Sequence, residues 1–131
     1  MIRLPRSIVD EIVVQARAEL PNEACGLLGG KGEQALKRYG MTNADASPEH
    51  FTFVPAEQFQ VMRSARAEGL DLIANYHSHP VTPARPSEED IKLAYDPNIL
   101  YIIVSLATEE PVVKAFHIRQ GVVENVPVEI D

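Results

Sequence analysis

The chain has little of what stiffens small secreted proteins. It carries one cysteine, Cys25, and no tryptophan, and aromatic residues reach only 6%. A lone cysteine excludes an intramolecular disulfide framework, so stability must come from an ordinary apolar core, and a cytoplasmic, reducing compartment is expected. No apolar run approaches the roughly 20 residues of a membrane-spanning helix. Arg3 and Arg6 precede an apolar stretch as they would in a signal peptide, but Asp10 and Glu11 interrupt it and no small-residue cleavage site follows. Positive charge is also scarce: 12 Lys and Arg face 19 Asp and Glu, a formal net charge of −7. Such a surface repels polyanions and argues against nonspecific nucleic-acid binding. It serves solubility, or a basic protein partner.

What is present fits one α/β (α+β) domain spanning residues 1–131, long enough to bury a core. Ile2-Arg3-Leu4 reads as a short strand. Ile8, Val9, Ile12, Val13, Ala16 and Leu20 then recur at helical spacing behind Pro5, and Pro21-Asn22 ends that helix. Glu23 to Gly30 reads as a buried strand and Ala35 to Met41 as its antiparallel neighbour. A polar loop follows, then an alternating Phe51-Thr52-Phe53. Pro55 to Glu68 reads as a helix with Phe59, Met62 and Ala65 on one face and Gly69 as its stop. Leu70 to His77 is expected to be a central strand, and Ser87 to about Tyr95 a short helix. Ile99 to Ser105, Val112 to Ile118 and Val122 to Val128 read as strands. The mixed order implies one sheet flanked by helices.

The chemistry concentrates in His77-Ser78-His79-Pro80 and Pro86-Ser87-Glu88-Glu89-Asp90. In a strand alternate side chains share a face, so His77 and His79 point together and Ser78 points away. Asp90, in the first turn of the next helix, can add an oxygen. Two imidazoles, a carboxylate and a vacant fourth position describe a catalytic rather than a structural zinc site. Each part also has a plainer reading. Histidines two apart arise by chance, and Ser87-x-x-Asp90 is equally a helix cap with an acidic first turn. His50 and His117 are expected to be surface or packing residues. Spacing alone does not bring Glu23 to the metal, and it reads as well as a solvated carboxylate at a strand edge. Cys25 is a small buried hydrophobe or, as the rarer alternative, an extra ligand that keeps the site latent. Other zinc hydrolases are excluded: a base deaminase needs Pro-Cys-x-x-Cys, and a thermolysin-like protease needs His-Glu-x-x-His.

Glu23-Ala24-Cys25-Gly26-Leu27-Leu28-Gly29, then His77-x-His79, seven residues, Ser87, two residues and Asp90 resemble the JAMM (MPN-plus, Mov34/PAD-1) metalloproteases, especially the short prokaryotic members. The likeness runs from the first helix to the strands after Asp90. It implies a cytidine-deaminase-like fold, a central sheet sandwiched by helices, with one Zn2+ held by His77, His79 and Asp90. It further implies Glu23 as general acid/base and Ser87 as stabiliser of the tetrahedral intermediate. The implied substrate is the C-terminal tail of a small ubiquitin-like protein, a β-grasp sulfur carrier, with a place in cysteine synthesis. A non-catalytic scaffold, or a latent site that awaits a partner, is the alternative.

Overall fold

The computed structural model describes residues 1–131. Pro5 separates strand β1 (Ile2–Leu4) from helix α1 (Arg6–Ala18), and its φ of −56° already suits entry into a helix. Ile8, Val9, Ile12 and Ala16 form the buried stripe of α1. Strands β2 (Cys25–Lys31) and β3 (Gln34–Met41) form an antiparallel pair. Helix α2 (Pro55–Ala67) leads to β4 (Asp71–His79), which pairs antiparallel with β2 and parallel with β5 (Leu100–Ser105). Helix α3 (Glu88–Lys92) lies between β4 and β5 in the chain. Strands β6 (Val112–Arg119) and β7 (Val122–Val126) continue as an antiparallel meander, and β8 (Val128–Ile130) pairs parallel with β1.

The eight strands form one sheet in the order β7-β6-β5-β4-β2-β3-β1-β8. Its two outermost strands, β7 and β8, are joined through Pro127 alone, so the sheet must curl until its ends nearly meet. The curl wraps α1. Ile8, Val9 and Ile12 cluster with Leu28, Ala74, Tyr76, Ile102, Val104 and Val126 inside it. Each such fully buried aliphatic side chain contributes about 1.5–3 kcal/mol. The opposite face carries α2, whose Ala65 joins Cys25, Leu27, Tyr39 and Met41. Beside it, Ile91 and Ala94 from α3 and its trailing turn pack near Tyr101, Ile103, Phe116 and Ile118. A mixed sheet with helices on both faces is the architecture the sequence leads one to expect.

Four details differ from the sequence reading. The expected strand Val122 to Val128 is split, because Pro127 has no N–H to continue a ladder and hands the chain to the other edge. Its carbonyl accepts from the Ile2 N–H at 2.9 Å. Phe51-Thr52-Phe53 is not a strand but a single bridge, Asn43 to Phe53. The helix after Ser87 ends at Lys92, short of Tyr95. On α2, Phe59 and Met62 are 61% and 51% exposed, so helical spacing found a face but not a buried one.

Candidate metal centre

The register of β4 sets the site. Along its last turns of pleat, Tyr76 points to the α1 face while His77 and His79 point to the other. Tyr76 is fully buried against Gly26, where a Cβ would fall 2.3 Å from the ring, so glycine is required there by close approach. The Tyr76 hydroxyl donates to Gln15 Oε1 at 2.5 Å and accepts from Arg38 at 3.2 Å. These contacts pin the strand just before the two histidines. His77 and His79 are both buried.

The ring of His79 is oriented by Pro83, whose carbonyl lies 2.9 Å from Nδ1. A carbonyl only accepts, so Nδ1 carries the proton and Nε2 presents its lone pair. His77 is held by stacking instead: the Phe51 ring lies 4.8 Å away at 29°. Its Nδ1 has no partner. Asp90 arrives from α3 through a reciprocal cap. Ser87 Oγ accepts from the Asp90 N–H at 3.0 Å, and Asp90 Oδ2 accepts from the Ser87 N–H at 2.9 Å.

Three atoms then converge. His77 Nε2, His79 Nε2 and Asp90 Oδ2 lie 3.1 Å from one another on every side of a triangle. His79 Nε2 and Asp90 Oδ2 are acceptors in their ordinary neutral-pH forms, and so is His77 Nε2 in the tautomer that keeps its proton on Nδ1, so three lone pairs converge with no positive centre between them. Ligands about 2.0–2.1 Å from one tetrahedral ion sit roughly 3.3 Å apart, which this triangle approximates. The donor set therefore fits a divalent metal. Without one, protons play the part. Burial opposes charge on Asp90, but hydrogen bonds from His77 and His79 outweigh it and hold its carboxyl well below the usual carboxylate range. Burial likewise disfavours charge on His79, yet the bonds to Asp90 and Pro83 raise its pKa.

Glu23 lies beside this triangle, only 3% exposed. Its Oε1 is buried without a hydrogen-bond partner. Burial pushes its pKa up to about 8; His79 pulls it down, and Asp90, Glu89 and Glu49 push further up. A buried carboxyl with an unused oxygen is the kind of group that exchanges a proton near neutral pH. The sequence leaves its location open; the pairing of Cys25 with His77 across β2 and β4 brings the segment that carries Glu23 alongside the two histidines.

Two residues that secure Glu23 escaped the sequence reading. Ser78 was expected merely to face away. It is buried, and its Oγ accepts from the Ala24 N–H at 2.8 Å while its own N–H donates to the Ala24 carbonyl at 3.0 Å. Asn43, passed over in a polar loop, donates from Nδ2 to the Glu23 carbonyl at 3.1 Å. The sequence carries no signal for either residue, because both side chains bond backbone groups.

The remaining candidates sit elsewhere. His50 is half-buried and pairs with Asp45 at 3.0 Å, and His117 lies on β6 outside the triangle. Cys25 is fully buried, its Sγ 3.8 Å from the Met41 carbonyl, and burial pushes its thiol up to about 12. A thiol so reluctant to ionise is a packing residue, and it stands outside the triangle.

Comparison with known proteins agrees with this geometry. Residues 5–119 match the family described as prokaryotic homologs of the JAB domain. A CysO-cysteine peptidase of Mycobacterium tuberculosis is 36% identical over 128 residues, covering 94% of this chain and 86% of that protein. A probable TtuB-protein conjugate cleaving protease of Thermus thermophilus is 34% identical over 95 residues, 72% of this chain and 64% of its own length. Among solved structures, protein DSY2949 of Desulfitobacterium hafniense superposes with a TM-score of 0.92 at 43% identity, over 100% of this chain and 93% of that one. With its family model matched over most of its length, its sheet and its His77–His79–Asp90 triangle in place, the chain belongs to the prokaryotic JAB-domain family, the JAMM/MPN group of metallopeptidase folds.

Proposed function

We propose that residues 1–131 form a single-domain zinc peptidase that hydrolyses the amide bond following the C-terminal tail of a small ubiquitin-like, β-grasp sulfur-carrier protein. The observation that carries this reading is the triangle of His77 Nε2, His79 Nε2 and Asp90 Oδ2 with the unpartnered carboxyl of Glu23 beside it. Support for the substrate class comes from relatives named for acting on CysO-cysteine and on TtuB conjugates. Removal of a cysteine from a carrier tail, as in cysteine synthesis, is the first reaction to test. No helix is long and apolar enough to cross a membrane.

His77, His79 and Asp90 would hold the zinc. When bound, the ion supplies Lewis-acid polarisation and makes water a competent nucleophile near neutral pH. Glu23 takes the proton from the attacking water at its free Oε1 and returns it to the departing amine. Its burial keeps competing solvent from that proton. Ser87 uses a lone pair to accept from the Asp90 N–H, which leaves its hydroxyl proton free to donate to the oxyanion of the tetrahedral intermediate.

The test has two parts. Native mass spectrometry of the wild type purified without chelator should find one zinc per chain. Incubation with a β-grasp carrier ending in Gly-Gly-Cys should release cysteine, and Glu23→Gln should bind zinc yet release cysteine at least about a hundredfold more slowly. A folded wild type that stays metal-free after zinc addition would sink the reading.

A further inference from the structure

Resting on that reading, we infer that Asn43 is a positioning residue that holds Glu23 and Phe51 in one rigid arrangement about the metal centre. Asn43 is buried, and its whole side-chain hydrogen-bonding capacity is spent on backbone. Its Nδ2 lies 3.1 Å from the Glu23 carbonyl, 3.4 Å from that of Ser47 and 3.0 Å from that of His50. Its Oδ1 accepts from the Asp45 N–H at 3.1 Å and the Thr52 N–H at 3.3 Å. The partners fall on both sides of the site. Glu23 lies two residues before β2 and carries the proton. His50 and Thr52 flank Phe51, the ring stacked on His77.

The backbone around Asn43 completes the connection. The Glu23 N–H donates to the Ser47 carbonyl at 2.8 Å, and the Ala44 N–H donates to the Thr52 carbonyl at 2.8 Å. Residues 43–53 form no regular strand beyond one bridge, so no ladder would keep this loop in place without the asparagine. A single amide therefore does the work of a strand edge. It ties the loop that supports a metal ligand to the residue that moves the proton, two groups separated in sequence and joined by no other side-chain hydrogen bond. Neither Glu23 Oε1 nor His77 Nδ1 has a hydrogen bond to orient it. Their placement depends on the backbone and the stack that Asn43 secures. A displacement of about 1 Å at such groups is enough to lower a rate roughly a hundredfold.

The experiment compares zinc-loaded wild type with Asn43→Ala and with Asn43→Asp, which keeps the volume and the acceptor oxygens but loses the amide donor. Both are read by zinc affinity in chelator competition, by kcat and KM on a Gly-Gly-Cys carrier, and by the 13C resonance of the Glu23 carboxyl. That resonance is assigned by its absence in Glu23→Gln. The expected result is one zinc per chain, KM within about threefold, kcat down by about a hundredfold, and a displaced or multiplied Glu23 resonance. In the Glu23→Gln background Asn43→Asp should lower residual kcat no further, because the two act as one unit. Should the alanine variant fail to fold, the aspartate variant carries the same readings. Zinc-loaded variants with wild-type kcat and an unmoved Glu23 resonance would overturn the inference, as would an equal loss in the Glu23→Gln background. If the wild type cleaves no carrier tail, the resonance still decides: a displaced signal upholds Asn43 while the substrate reading falls, and an unmoved one removes both.

Discussion

The two faces of the curled sheet obey different rules. On the α1 face, Leu28, Ala74, Ile102 and Val104 meet Ile8, Val9 and Ile12 in a cluster without charge. On the other face, a few residues further along the same strands, lie His77, His79 and Glu23, all buried and all polar. One face gains stability by excluding water. The other has apolar clusters of its own around Cys25 and Ile103, but between them it gives some stability up, since Glu23 Oε1 and His77 Nδ1 are buried without partners. Stability and reactivity are thus divided by the two-residue period of β-structure rather than by separate parts of the chain.

Mutations should respect that division. The largest effect is expected for Asp90→Ala, which removes one corner of the triangle: native mass spectrometry should show zinc lost, with cleavage falling to background. Next comes Glu23→Gln, with kcat reduced about 10²–10⁴-fold, the range of general acid–base catalysis, while zinc content stays at one per chain. Ile12→Ala, on the α1 face, should invert the pattern. It should destabilise the fold by about 2–5 kcal/mol in urea titration yet leave kcat of the folded fraction unchanged. A loss of zinc in Ile12→Ala at temperatures where it is folded would erase the distinction between faces.

A gentler probe is pH. Because burial raises the Glu23 pKa from 4.5 to about 8, the folded, metal-free protein binds a proton that the unfolded chain has lost throughout that window. Stability from this group is full below about 4.5 and declines as pH rises toward 8. His79, raised in the folded state, acts in the same sense above its ordinary 6.5. The melting temperature of the metal-free protein should therefore fall between pH 5 and 8, and Glu23→Gln should flatten part of the slope. An equal slope in the variant would mean that Glu23 is solvated. Smallest of all, Met62→Ser on the exposed face of α2 should change stability by no more than about 0.5 kcal/mol, as calorimetry can check.

Local pattern made the ligand triangle legible. His77 and His79 share a face by strand period, and Ser87 and Asp90 share a turn by helix period, so each pair is fixed within three residues. Glu23 is different, because its place depends on β2 pairing with β4 some fifty positions away, in a register that the spacing of apolar residues does not encode. Only the resemblance pointed to it. Asn43 and Ser78 were hidden for a related reason: their partners are backbone groups, which leave no trace in a sequence. The α2 face misled because periodicity reports which residues are neighbours on a helix, and whether they meet a sheet or water is decided by the rest of the fold. Pro127 did announce a break, but a break that carries the chain to the opposite edge of the sheet can be seen only once the sheet has curled.

The alternation within His77-Ser78-His79 has one more consequence. The outer two side chains face the metal position while the middle one, through Ala24, anchors the segment bearing Glu23. A slip of β4 by a single residue would turn both imidazoles into the α1 core and aim a hydroxyl at the metal position in their place. The ladder admits no intermediate register. Assembly of this centre is therefore digital: a chain that has paired its strands correctly has the ligands and the Glu23 tether together, and a mispaired one has neither. A misfolded copy is then inert, with no half-built site left to cut proteins indiscriminately.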